Sequence, residues 1–254
     1  MKCFLQRPLK RFVLPTLFFA CVTLLTACAT SSDTFYGLES GNPPHAVMID
    51  ISGSMGNGAG DTIESSVARD AINTVDRTVG KVKTGSAVAN KILNKVRGGL
   101  FDKARKQTTK LAESQRQLIP FVRGLPENTL FNIMAFNSDQ SQISSGLLSA
   151  SPRTRQDAIN FINSLEAFGG TEMIPALELA ISQKPATIYL VSDGHPNDSQ
   201  SKILDIVRNA ISKGIVINTI GVGKDQNKPF LSQIARMSGG VFTSKGISIP
   251  ILSP

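Results

Sequence analysis

The chain has 254 residues, 41% hydrophobic and 18% charged, enough apolar material for one domain with a sizeable core and too much for a disordered polyelectrolyte. Its formal net charge of +8 would suit an acidic partner, but Lys2, Arg7, Lys10 and Arg11 supply four of those charges in a stretch with no acidic residue. With no Trp and two Tyr there is no stacking stripe, so composition argues against nucleic-acid binding.

Those four basic residues precede an uncharged apolar run from Phe12 to Leu25, the pattern of an export signal rather than of a globular element. The run falls short of the roughly 20 apolar residues that a spanning helix needs. Leu25-Thr26-Ala27-Cys28 resembles a bacterial lipobox, so residues 1–27 are expected to be removed as a lipoprotein signal peptide and Cys28 to become the acylated (palmitate-type) first residue. Cys3 and Cys21 lie inside the signal, and the processed chain then has no second thiol with which to form a disulfide. Several acyl chains on one residue, each contributing about 0.8 kcal/mol per buried methylene, would hold the protein on a membrane without spanning it. Removal of the signal leaves 23 Lys and Arg against 19 Asp and Glu, a net +4. Ala29, rather than Asp, after the anchor resembles the sorting pattern for the outer membrane of the bacterial cell envelope.

Residues 28–44, rich in Ser, Thr, Gly and Pro, read as a tether, and the domain is expected over 45–246. Ala46 to Ile51 is a near-continuous apolar run, which suits a strand buried on both faces. Next comes Gly56 to Gly60, and then Ile63, Val67, Ala71, Val75, Val79 and Val82 at helical spacing, repeated by Val88, Ile92 and Val96. This predicts a helical insert over about 57–100. Asp61 to Lys110 carries eleven basic and five acidic residues, a pattern expected of solvated helix faces.

The remaining pattern predicts a helix from Phe101 to Val122, a strand from Leu130 to Phe136 and a short edge strand from Ile143 to Leu148. A helix from Thr154 to Leu165, a Gly169-Gly170 break and a helix from Met173 to Ser182 follow. Strands at Ile188–Ser192, Ile215–Val222 and Val241–Thr243 alternate with helices at Ser201–Lys213 and Pro229–Met237, and residues 247–254 form a tail. The alternation predicts an α/β fold, with a central, mostly parallel sheet of about six strands and helices on both faces.

In such a sheet ligands gather outside the carboxyl ends of the strands. Asp50, Ser52 and Ser54 follow the first strand, Thr171 follows Gly169-Gly170, and Asp193 follows the Ile188 strand, with Gly194 permitting a sharp turn. Two carboxylates and three hydroxyls make an oxygen donor set of the kind that hard divalent cations prefer. The order Asp-x-Ser-x-Ser, Gly-Gly-Thr and Ser-Asp-Gly resembles a von Willebrand factor type A (VWA) domain with its metal-ion-dependent adhesion site. That resemblance covers His45 to about Ser244 and implies a Rossmann-like fold. It also implies Mg²⁺ or Mn²⁺ on Asp50, Ser52, Ser54, Thr171 and Asp193, with an acidic residue of a protein partner completing the shell. The chain departs from the family in its insert and in a proline-containing end that cannot supply the usual final helix.

The function expected is therefore metal-dependent protein binding, as adhesin or scaffold, without catalysis. The enzymatic alternative is Mg²⁺-dependent phosphoryl transfer or another hydrolysis using Asp50, but Ser52 stands where such phosphotransferases place a second Asp. A serine hydrolase built on Ser54, His195 and Asp193 meets only half of the nucleophile-elbow pattern. No Gly-Lys-Ser or Gly-Lys-Thr follows the glycines after Ser54, so nucleotide binding has no support.

Overall fold

The computed structural model describes residues 34–35, 37–39, 41–57 and 109–245. The expected signal peptide, Cys28, residues 58–100 of the expected insert, residues 101–108 of the helix expected after it, and the expected tail lie outside the described residues.

Nine strands are described: β1 (Thr34–Phe35), β2 (Leu38–Glu39), β3 (His45–Asp50), β4 (Leu130–Phe136), β5 (Gln140–Gln142), β6 (Leu148–Ser149), β7 (Thr187–Ser192), β8 (Val216–Val222) and β9 (Phe242–Lys245). Helices α1 (Lys110–Gly124), α2 (Pro152–Ser164), α3 (Met173–Ser182), α4 (Gln200–Ser212) and α5 (Lys228–Met237) alternate with them, and a short 3-10 turn spans Gly53–Gly56. The main sheet runs β5-β4-β3-β7-β8-β9, with β6 also on β4. β4, β3, β7, β8 and β9 are mutually parallel, whereas β5 and β6 pair antiparallel with β4 at the edge. This is the expected α/β sheet. From β3 the chain crosses to β4 on one side and from β7 to β8 on the other, so the winding reverses between β3 and β7. A crevice opens at the carboxyl ends of strands where winding reverses.

Every residue of β3 and β7 is buried, as strands covered on both faces require. Alternation within β3 assigns the two cores: Val47 and Ile49 pack with Leu118 and Phe121 of α1 and Ile159 and Ile162 of α2. Ala46 and Met48 face the other way, towards Leu177 of α3, Val207 of α4 and Ile234 of α5.

Apart from α1, which begins at Lys110 rather than Phe101 because Thr109 caps it in an extended conformation and accepts from the Ala112 N–H, the core elements fall within a residue or two of the expected spans, and three further local features differ. The described residues of the tether are folded: β1 and β2 pair antiparallel, and Leu38 is buried in the α1-side core. The Gly41 N–H donates to Tyr189 Oη (2.7 Å), and Thr187 Oγ1 donates to the Asn42 carbonyl (2.8 Å). Composition alone does not reveal those anchors. The expected edge strand over 143–148 is replaced by the shorter β5 and β6, because Ser144-Ser145-Gly146 interrupts it and the Ser144 carbonyl accepts from Asn132 Nδ2 (2.8 Å). The third is α2, which begins two residues early because Ser151 and Thr154 form a reciprocal capping box, with Pro152 in the first turn.

Candidate metal centre

Asp50 is the last residue of β3 and is fully buried; Asp193 follows β7 and is also fully buried. The two carboxylates therefore flank the crevice where winding reverses. Gly194 has φ +79°, and a Cβ there would lie 2.9 Å from Leu231 Cγ, so only glycine lets the chain turn away beneath Asp193.

Asp50 Oδ1 accepts from the Ser52 N–H (2.9 Å), and Asp50 Oδ2 accepts from the Ser192 hydroxyl (2.6 Å). Ser52 and Ser54 present hydroxyl oxygens 3.0 Å apart, with Ser52 buried and Ser54 partly open. The Gly169–Thr171 loop is fastened to this first loop by the backbone: the Phe168 N–H donates to the Ile51 carbonyl (2.9 Å) and the Gly53 N–H to the Gly169 carbonyl (3.0 Å). Thr171 is 4% exposed, and its carbonyl accepts from the Asn197 N–H (3.0 Å), which joins the loop after α2 to the loop after β7. Three separate loops thus bring Asp50, Ser52, Ser54, Thr171 and Asp193 to one edge of the sheet.

Electrostatics explains why such a cluster calls for a cation. Burial, and then the nearby Asp193 charge, raise the Asp50 pKa from 3.8 to about 6 against the opposing effect of the Ser192 and Ser52 hydrogen bonds. Among the described residues no three His, Cys, Asp or Glu side chains converge, so hydroxyls must complete any shell. Two buried carboxylates with hydroxyls suit Mg²⁺ or Mn²⁺ better than the His and Cys cage of a structural zinc site. The residues present fit the ion that the resemblance implies.

A family model for the von Willebrand factor type A domain matches residues 100–243, more than half of the chain. The chain belongs to the VWA domain family. The match begins at residue 100, so β3 and its Asp50-x-Ser52-x-Ser54 loop join the VWA unit through the sheet pairing and the loop hydrogen bonds above. The chain is 26% identical over 148 residues to inter-alpha-trypsin inhibitor heavy chain 4 of Mus musculus, covering 52% of this chain and 16% of that protein. It is likewise 26% identical over 147 residues to heavy chain H3 of Homo sapiens, covering 52% and 16%. The chain thus spans about a sixth of the length of these curated relatives. A von Willebrand factor type A structure from Catenulispora acidiphila matches with TM-score 0.53 at 16% identity, covering 79% of this chain and 38% of that one. The conserved hypothetical protein BatB from Bacteroides thetaiotaomicron matches with TM-score 0.52 at 14% identity, covering 80% and 90%. At these identities the structural likeness speaks for the VWA fold alone.

Four residues around the centre lie outside the expected donor set, and of these only Ser192 shows in the sequence, as the first residue of Ser-Asp-Gly. Ser192 holds Asp50, and Asn137, after β4, donates from Nδ2 to the Phe168 carbonyl (3.0 Å), orienting the Gly169–Thr171 loop. Lys110 donates to Asp193 Oδ2 (2.9 Å) and to Asp225 Oδ2 (2.8 Å), and Asp225 is the fourth. Burial opposes ionisation of Asp225, but the Lys110 hydrogen bond and charge outweigh it and hold its pKa below the ordinary value. His195 is exposed and pairs through Nε2 with the Asp225 carbonyl (2.7 Å), while Ser54 pairs with Ser52. Neither arrangement is that of a hydrolase relay, in which the histidine would bond to the serine hydroxyl.

Proposed function

We propose that this VWA domain binds a protein partner through a divalent cation, Mg²⁺ or Mn²⁺, held by Asp50, Ser52, Ser54, Thr171 and Asp193, and that it does not catalyse a reaction. The observation that supports this most is the convergence of two fully buried carboxylates and three hydroxyl residues, from three hydrogen-bonded loops, where the winding reverses. When bound, the ion supplies an electrophilic coordination position that an incoming carboxylate can occupy. The protein's part is to bury Asp50 and Asp193 while leaving Ser54 and Gly53 facing solvent, so that a partner can approach from that edge. Capture of an envelope protein by the purified chain should be lost in EDTA, restored by Mn²⁺ or Mg²⁺, and lost in Ser52→Ala. Capture that persists with the metal removed would sink this reading.

The same proposal places the domain on the bacterial envelope through acylated Cys28, at the outer membrane. Cys28→Ser should move the protein from the membrane fraction to the soluble periplasmic fraction. Unchanged fractionation would exclude the lipid as the anchor.

A further inference from the structure

Lys110 opens α1 and is 1% exposed, among the largest fully buried side chains described. A buried ammonium must be paired, and the macrodipole disfavours a cation in the first turn of a helix, so the helix itself does not hold it there. Its partners are carboxylates: Nζ lies 2.9 Å from Asp193 Oδ2 and 2.7 Å and 2.8 Å from the two oxygens of Asp225. Asp193 is fully buried, whereas the Asp225 side chain is 65% exposed. The lysine therefore bridges one carboxylate of the metal centre to one at the water interface. Its backbone N–H is directed at the carbonyl of Asn57, at the end of the Ser52–Ser54 loop (3.4 Å). Its stem passes over Gly223, where φ is +92° and a Cβ would lie 2.5 Å from Lys110 Cε, so the β8 loop is cut to the lysine's shape.

We infer that Lys110 is a built-in competitor cation that sets the affinity and electrophilicity of the metal centre by sharing Asp193, with Asp225 as the arm that draws it away. This rests on the metal reading above. Asp50 and Asp193 are the two carboxylates of the donor set, and Lys110 takes up part of the second one's charge while Asp225 pairs with it from the solvent side. Without the lysine Asp193 would give its whole charge to the ion, which would be held more tightly and would attract an incoming carboxylate less. With it, Asp193 divides its charge between two cations, and every contact that strengthens Lys110–Asp225 releases Asp193 to the metal. A buried salt bridge that only fastened α1 to the sheet would contribute to folding and leave metal affinity alone, or reduce it when broken.

Titration calorimetry of the full chain with Mn²⁺ separates these roles. Lys110→Met should bind Mn²⁺ at least tenfold more tightly than wild type, and Lys110→Arg, which keeps the charge, should stay within a few-fold of wild type. Asp225→Asn, which leaves Lys110 with Asp193 alone, should bind several-fold more weakly, and this exposed-site variant serves if Lys110→Met does not fold. Unchanged or weaker Mn²⁺ binding by folded Lys110→Met, or unchanged binding by Asp225→Asn, overturns the inference while leaving the metal centre standing. Absence of Mn²⁺ binding by wild type and all three variants overturns the metal centre and this inference together.

Discussion

Replacing Asp50 by Asn is expected to stabilise the metal-free domain at pH 7 while abolishing its response to a cation. The Asp50 pKa is raised from 3.8 to about 6, so the folded state binds the proton more tightly than the unfolded chain does. A group shifted in that direction stabilises the fold fully below pH 3.8 and loses that contribution as pH rises through 6. At pH 7 the ionised carboxylate therefore costs about 3 kcal/mol relative to its protonated form.

Asparagine has the same size and no charge, and its carbonyl oxygen can still accept from the Ser52 N–H. Some of the benefit is lost where the amide meets the Ser192 hydroxyl, which must then turn to accept, so a net gain of about 1–3 kcal/mol is expected. Urea unfolding in EDTA should show a higher midpoint for Asp50→Asn with an unchanged slope. Adding Mn²⁺ at 100 times its dissociation constant should then raise wild type by about 2.7 kcal/mol and leave the variant where it was. Lower stability of Asp50→Asn in EDTA, or an equal response to Mn²⁺, would contradict the view that binding function is stored here as an electrostatic cost.

Much of this centre could be read before the fold was known, because its donors sit at strand ends and strand ends show in hydrophobic pattern. β4 and α3 fall where the apolar periodicity places them, and Asp50 and Asp193 follow runs too apolar to be anything but central strands. The residues that tune the site could not be read in the same way. Lys110 ends a lysine-rich segment whose charges look solvated, and only packing at the head of α1 shows that this one is buried between Asp193 and Asp225. Asn137 and Ser192 act through single hydrogen bonds to neighbouring loops, which leave no periodicity. Residues 34–44 illustrate the converse error: a polar, proline-containing composition predicts a free tether, yet two hydrogen bonds to Tyr189 and Thr187 and the burial of Leu38 fasten it.

The acid stability of the domain should be nearly flat in wild type and steep in Asp50→Asn, because two buried groups at opposite ends of β3 oppose one another. His45 begins β3, is 2% exposed, and lies against the rings of Phe121 and Tyr189 with centroids 6.2 Å and 5.8 Å away. Its Nδ1 has no hydrogen-bond partner among the described residues, and burial lowers its pKa from 6.5 to about 4. Between those values the unfolded chain takes up a proton that the fold refuses, so stability falls by about 3 kcal/mol as pH drops from 6.5 to 4. Asp50 does the reverse over almost the same window, since the fold takes up a proton between pH 6 and 3.8 that the unfolded chain does not. In EDTA the two contributions offset in wild type. Asp50→Asn removes the compensating proton and exposes the histidine's cost, while His45→Phe in that background, keeping a ring against Phe121 and Tyr189, should flatten the profile again. Asp225, held below its ordinary pKa, loses stability on acidification in all three chains alike, so differences between their urea midpoints from pH 7 to 4 isolate the pair. Parallel profiles for wild type and Asp50→Asn would show that the buried aspartate does not carry the proton that these positions require of it.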